Sequence, residues 1–230
     1  MAPSVSIIIP AHNEEKYLSK TLHSIQQQTN KDYEVLVVVN GCTDTTEEIL
    51  KNINDDAIRV LSLAKPNVSR ARNYGAGKAK GEILVFVDAD TVVQPDLVEK
   101  ISTNFTTEYA IASTKVMPDS EEVKYKLAMS FKNLYMAKGV YKGCSGVLIC
   151  RRDHFDQVAG YDPKIIAGEH RKLISKLQTF GKYRCLDTTA TTSMRRFQQW
   201  GLSKSVLFWT KQWLWDNFGD PQKIKYDKIR

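Results

Sequence analysis

The sequence predicts an α/β fold: a mixed, mostly parallel sheet flanked by helices. Short apolar, β-branched runs alternate with amphipathic stretches over the first 186 residues, the pattern of strand–helix units. The run "ILVFV" at 83–87 is apolar at every position, as a strand covered on both faces is. At 230 residues and 42% hydrophobic content, the chain can fill one substantial core.

Strands are expected at 5–9, 34–39, 58–63, 83–87, 110–116, 146–150 and 183–186, where Val and Ile cluster between turn-forming residues. Helices are expected at 14–28, 45–53, 69–78, 96–104, 121–138 and 169–180. Asp44 and Ser69 suit N-caps, and Leu18, Leu22 and Ile25 recur at helical spacing and should face the sheet. The chain has no internal repeat, low-complexity tract or Gly/Ser linker, so it reads as one domain over 1–194. A basic, Trp-rich helical extension over 195–230 follows it.

Charge is unevenly placed. Residues 1–181 carry 23 Lys+Arg against 22 Asp+Glu, whereas residues 182–230 carry 10 against 4, along with all four tryptophans. Leu202, Val206, Trp209 and Trp213 form one helical stripe in that extension; Leu207, Leu214 and Phe218 form a second. With Lys204 and Lys211 nearby, the segment can pack on the domain, mediate a homodimer or lie in a membrane interface. No apolar run reaches the roughly 18 residues of a membrane span. The expected location is therefore cytoplasmic, with the inner face of a membrane as the alternative that the extension leaves open. The four cysteines show no CxxC spacing and read as reduced structural thiols.

In open α/β sheets, ligands sit beyond the carboxyl ends of the strands. After the first expected strand comes "PAHNEE", after the second "NGCTDTT" and after the fourth "DADT". Side chains two apart in an extended segment point the same way, so Asp88 and Asp90 would crowd together and repel. One reading is a strand-ending turn that leads into a helix. The other places a divalent cation at the pair; carboxylate oxygens suit Mg²⁺ or Mn²⁺, which commonly share substrate phosphates. "GAGKAKG" at 75–81 follows a helix and precedes a strand, the reverse of a dinucleotide fingerprint, and no GxxxxGK[ST] loop occurs. No nucleic-acid motif accompanies the basic extension.

"SIIIPAHNEEKYL", "VLVVVNGCTDTT", "SRARNYGAGKAKGEILVFVDADT", "GCSGVLICRRDHFDQVAGYDP" and "AGEHRKLISKLQTFGK" together resemble the inverting family-two glycosyltransferases of GT-A fold. The likeness covers roughly residues 4–186. It implies a nucleotide-sugar donor, a UDP- or GDP-sugar, and a Mn²⁺ or Mg²⁺ cofactor. Pro10, His12 and Glu14 match the family's first loop, along base and ribose. Asn40 stands where an acid or amide reads the base edge, and Arg72 would pair with an acid or phosphate. Asp88 would lie near the ribose, and Asp90 would ligate the metal. Arg195 and Arg196 match basic motifs that hold the diphosphate or an acidic acceptor.

The departure from the pattern is at 168–170. Where the family usually reads Gly-Glu-Asp, with the Asp as base, this chain has Gly168, Glu169 and His170. His170 or Glu169 would be the catalytic base; alternatively the acceptor is a phosphate already ionised at neutral pH. The acceptor class expected from this is a polyprenyl or dolichyl phosphate, or a lipid-linked glycan. Two rivals compete with a transferase. A sugar nucleotidylyltransferase would want a glycine-rich loop after the first strand, which "PAHNEEK" is not. A non-catalytic nucleotide-sugar-binding or regulatory homologue would account for His170.

Overall fold

β1 (Val5–Ala11) is central in a computed structural model that describes residues 2–138, 144, 146–165, 168–201, 203–205 and 207. All seven of its residues are buried, because helices cover both faces of the sheet. Ile7 and Ile9 point into one layer of core with Leu18, Leu22, Val37, Val85 and Ile101. Ile8 points into the other, with Leu36, Val38, Phe86, Leu148 and Leu173. That is the period of two expected of a strand with two dry faces.

The remaining elements are α1 (Leu18–Gln26), β2 (Tyr33–Asn40), α2 (Thr46–Lys51), β3 (Ile58–Leu63), α3 (Val68–Lys78), β4 (Ile83–Val87), β5 (Thr91–Val93), α4 (Leu97–Asn104), β6 (Tyr109–Pro118), α5 (Val123–Ala137), β7 (Val147–Arg151), α6 (Arg152–Gln157), α7 (Glu169–Leu177), β8 (Lys182–Thr192) and α8 (Arg195–Trp200). They form one eight-stranded sheet of order β3-β2-β1-β4-β7-β6-β8-β5. Pairs β1–β2, β1–β4, β2–β3 and β6–β8 are parallel; β4–β7, β6–β7 and β5–β8 are antiparallel.

Several expectations are corrected. β5 and α6 are additional elements, each of six residues or fewer, while α8 falls where the helical extension is expected to begin. β8 runs to Thr192 instead of stopping at 186, because pairing with β6 on one side and β5 on the other holds a polar run extended. The first helix begins at Leu18 rather than at 14, which frees Glu14 for the site. The cap of α3 is Asn67, whose side chain accepts from Arg70 N, while Ser69 is buried inside the first turn. The N-cap of α2 is Thr45 rather than Asp44, which stands one residue before it and accepts from Thr46 N at 3.0 Å. Gly75 serves packing rather than phosphate: a Cβ there would stand 2.6 Å from Ile8 Cγ2. Leu18, Leu22 and Ile25 face the sheet as expected.

α5 has an unusual outward side. Val123, Leu127, Phe131, Leu134 and Tyr135 are each at least half exposed, while Tyr125, Met129 and Met136 pack inward. Among the described residues no helix is long and apolar enough to cross a membrane. Most of the Trp-rich extension, including Trp209, Trp213 and Trp215 and both apolar stripes apart from Leu207, lies outside the described residues.

Candidate active site

Two arginines organise the carboxyl edge of the sheet. Arg72 rises from α3, whose glycine at 75 lets the helix sit close on β1 and β2. Its Nη2 donates to Asp88 Oδ1 at 2.8 Å and its Nη1 to Glu169 Oε1 at 2.9 Å, with only 3% of its side chain exposed. Segments 16 and 97 residues away in sequence are thus tied by one planar fork, a geometry that lysine cannot reproduce. The Arg72 guanidinium also lies 5.2 Å from the Tyr161 ring.

Tyr161 is fixed by α3: its N–H donates to Asn73 Oδ1 and its carbonyl accepts from Asn73 Nδ2. Its ring meets Phe86 edge-on at 5.2 Å. Its hydroxyl lies 2.9 Å from His170 Nδ1, so the first turn of α7 is braced from β4 and α3 at once. Tyr161 was not singled out from sequence; the only available signal was its place in the quoted "GYDP".

The second arginine opens α8. Arg195 holds both carboxylate oxygens of Glu14 at 2.8 Å, a bidentate pair spanning 181 residues of sequence, and its Nη2 is 3.0 Å from Asp90 Oδ2. Its guanidinium lies 4.8 Å from the ring of Tyr17. The loop carrying Glu14 is laced to the loop after β2. Asn13, with left-handed φ of 56°, accepts from Thr43 N, Glu14 N donates to Thr46 Oγ1, and Glu15 N donates to Asp44 Oδ2. Thr21 Oγ1 donates to the carbonyl of Ala89, fastening the turn between the aspartates to α1.

Asp88 and Asp90 are near enough to repel, as expected, but each is held by a different guanidinium. β4 ends at Val87, Thr91 N donates to Asp88 O, and the intervening turn sends the two carboxylates to different guanidiniums. Their environments diverge accordingly. Burial works against the Asp88 carboxylate, but Arg72, His170 and Arg196 outweigh it and hold its pKa below the ordinary value. Burial, then the charge of Asp88, pushes Asp90 up to about 7, with Arg195 opposing and Glu14 adding to the rise. The Asp88 N–H donates to Gly146 O at 2.8 Å, and Gly146 has φ of +76° with Thr91 against it: a Cβ there would stand 2.3 Å from Thr91 Oγ1.

The two candidate bases differ in the same way. Burial would raise Glu169, yet His170 and Arg72 hold it below the ordinary carboxylate value, and its Oε1 is engaged by Arg72. Burial, aided by Arg72, pushes His170 down to about 4, so it is neutral at pH 7. Its Nε2 lies 3.9 Å from Glu169 Oε1, beyond hydrogen-bond reach. Lys132, not singled out from sequence, and Cys144, read there as a structural thiol, border this cluster. Burial pushes Lys132 down to about 8 and the Cys144 thiol up to about 12, and Cys144 feels the charges of Asp88, Arg72, Lys132 and Glu169.

Of the other expected site residues, Pro10 is buried within β1 opposite Val38 and so belongs to the strand rather than the loop. His12 is half-buried just beyond that strand. Asn40 is buried, and its Oδ1 accepts from Asn67 N at 2.9 Å. Arg196 is half-buried beside the site and contributes to the field at Asp88. Among the described residues no group of three or more His, Cys, Asp or Glu side chains could hold a metal by itself.

Comparison with known proteins follows the same outline. The family model described as glycosyl transferase family 2 matches residues 6–198. Glycosyltransferase GlyA of Streptococcus pneumoniae serotype 4 is 38% identical over 99 residues, 42% of this chain and 14% of that protein. TarS 1–349 of S. aureus in complex with UDP-GlcNAc superposes with a TM-score of 0.63 at 19% identity, over 84% of this chain and 59% of that one. The mannosyltransferase PcManGT of Pyrobaculum calidifontis, in complex with GDP-Man and Mn²⁺, reaches a TM-score of 0.74 at 17% identity, over 96% and 66%. These structures share the fold. GlyA is matched over only a small part of its own length.

Proposed function

This chain belongs to glycosyl transferase family 2, and from that premise we propose that it is an inverting transferase. It would move a sugar from a UDP- or GDP-linked donor to a lipid-linked phosphate or glycan. The observation that carries this reading is the convergence of Glu14, Asp88, Asp90, Glu169 and two arginines at the carboxyl edge of the sheet, where α/β folds bind ligands. TarS and the mannosyltransferase, bound to UDP-GlcNAc and GDP-Man, support the donor class by likeness.

The residues fit a divalent cation at Asp90. Burial first, then the charges of Asp88 and Glu14, lift the Asp90 carboxyl to about 7 despite Arg195, so a cation that displaces its proton would relieve a carboxylate unfavourably placed as a bare anion. One protein carboxylate completed by donor phosphates suits Mg²⁺ or Mn²⁺. When bound, such a cation supplies charge neutralisation for a departing diphosphate.

The chain's own residues account for the rest. Arg72 holds Asp88 and Glu169 rigid, and Asp88 is left ionised to face the donor's ribose. Arg195 and Arg196 would bind the diphosphate, and His12, Glu14 and Asn40 would line the nucleoside; the Asn40 Nδ2 is the atom left for the base, since Oδ1 is taken by Asn67. The acceptor oxygen attacks the anomeric carbon, the bond from that carbon to the diphosphate oxygen breaks, and the nucleoside diphosphate leaves with the electron pair. A phosphate acceptor is already ionised and brings no proton; from a glycan hydroxyl, His170 takes it. This requires the tautomer in which Nδ1–H donates to Tyr161 Oη, leaving the lone pair on Nε2. An imidazole with a pKa of about 4 matches the basicity of an unperturbed aspartate, the residue the family usually places here.

Transfer or hydrolysis measured with a panel of UDP- and GDP-sugars in Mn²⁺ is the direct test. Asp90→Ala should abolish turnover. Turnover by wild type that Asp90→Ala leaves intact would remove the metal role. A folded chain inert toward every donor would remove the transferase reading. For the base, His170→Ala should lower kcat with water or a hydroxyl acceptor about 10²- to 10⁴-fold. The wild-type rate should fall through about pH 4 rather than near 6.5 as acid protonates the imidazole.

A further inference from the structure

Arg195 is the cation that Asp90 faces in this structure. Its Nη2 lies 3.0 Å from Asp90 Oδ2, and the same guanidinium holds both oxygens of Glu14 at 2.8 Å. It is also accessible: 20% of its side chain is exposed, against 3% for Arg72. A divalent cation arriving at Asp90 would meet a fixed positive charge already on that carboxylate. Like charges at such a separation repel strongly in a half-buried site. For the cation to bind, the guanidinium must release Asp90, and once released it needs another anion.

A diphosphate is the anion of matching chemistry, since the planar guanidinium fork pairs phosphate oxygens as readily as carboxylate oxygens. The displacement needs only side-chain rotation. The backbone at the start of α8 is tied independently, with Met194 N donating to Asp119 Oδ1 at 2.7 Å, and the Tyr17 ring offers the guanidinium a face along the way.

We propose that Arg195 is an interlock on loading: it neutralises Asp90 and Glu14 in the free chain and passes to the donor's diphosphate as the cation takes Asp90. The interlock rests on the reading of the preceding subsection and deepens it. It makes the cation and the nucleoside diphosphate enter together, each raising the other's affinity by the same factor. Arg195 is then a positioning residue whose two partners are alternatives, whereas the partners of Arg72 are permanent.

The test is Mn²⁺ binding to the full chain, with free Mn²⁺ counted by electron paramagnetic resonance, with and without saturating UDP or GDP. Wild type should bind Mn²⁺ poorly alone and about tenfold or more tightly with the better nucleotide, a coupling of ordinary size. Arg195→Gln should bind Mn²⁺ alone about tenfold more tightly than wild type, and nucleotide should then add little. Arg195→Lys, which keeps the charge but loses the fork, should fall between them. Arg196→Gln removes the same charge one residue on and should raise the Mn²⁺-alone affinity by much less than Arg195→Gln does. Far-UV circular dichroism verifies that each variant is folded. Equal shifts in Arg195→Gln and Arg196→Gln would reveal a general field effect and overturn the interlock. So would tight Mn²⁺ binding by wild type without nucleotide, or an unchanged Arg195→Gln. Should wild type bind no Mn²⁺ even with UDP or GDP, the cation reading itself falls, and the interlock with it; the other failures leave that reading standing.

Discussion

Arg72 and Arg195 have the same arrangement, one guanidinium bridging two carboxylates, in two different surroundings. Arg72 is enclosed by α3, β4 and α7, stands over the Tyr161 ring and joins Asp88 to Glu169. Arg195 sits at the rim on a six-residue helix and joins Glu14 to Asp90. Both are held protonated by their acids, but the consequences for those acids are opposite in sign. Asp88 is held below its ordinary pKa, while Asp90 is raised to about 7. The difference teaches that the enclosed bridge outweighs the burial of its acids, whereas the rim bridge does not outweigh the burial of Asp90 and the charge of Asp88 beside it.

Removing the enclosed bridge should have the largest effect. Arg72→Gln leaves the half-buried Glu169 and the more open Asp88 without their shared cation and should cost about 2–3 kcal/mol in urea unfolding at neutral pH, less than a fully buried pair because Asp88 is 38% exposed. Arg72→Lys should recover only part of this, because an ammonium cannot fork between Asp88 and Glu169. A melt unchanged by either substitution would refute the contrast between the two bridges.

The aspartates should separate the bridges by pH. Asp90 has a folded pKa above its unfolded value, so the native state holds more protons between the two. Its contribution to stability therefore declines as pH rises from about 4 to about 7, and Asp90→Asn should be more stable than wild type at neutral pH. Asp88 is the reverse: its stabilisation is present above the unfolded value and lost as pH falls through the depressed folded value. Asp88→Asn should accordingly be less stable at pH 7. Thermal melts of both variants from pH 3 to 8 check the signs; like signs would mean that the two acids share one environment. The smallest effect should come from Asn67→Ala, which removes the cap of the helix that carries Arg72 and should cost about 1 kcal/mol.

The frame of the molecule was legible because apolar runs such as Ile83–Val87 and the spacing of Leu18, Leu22 and Ile25 are local signals. What escaped was short or non-local. β5 has three residues, too few to show a period. The far half of β8, "DTTATT", is polar, and only its neighbours keep it extended. Within the site, Glu14, Arg72, Asp88, Asp90, Glu169, His170 and Arg195 were each nameable from motifs, and the structure brings them together. Their pairing was not legible: Glu14 and Arg195 are 181 residues apart, and nothing in either segment specifies the other. The divergence of Asp88 and Asp90 was half legible: the strand end at Val87 and the turn after it were expected, but which guanidinium each carboxylate meets depends on the distant α3 and α8.

Gly146 sets a limit on how this edge can be altered. A side chain there would collide with Thr91, and the same residue's carbonyl receives the Asp88 amide, so bulk added at one point is transmitted directly to the acid beside it. A directed-evolution library meant to retune substrate choice near this stretch would do best to diversify its neighbours and leave position 146 untouched.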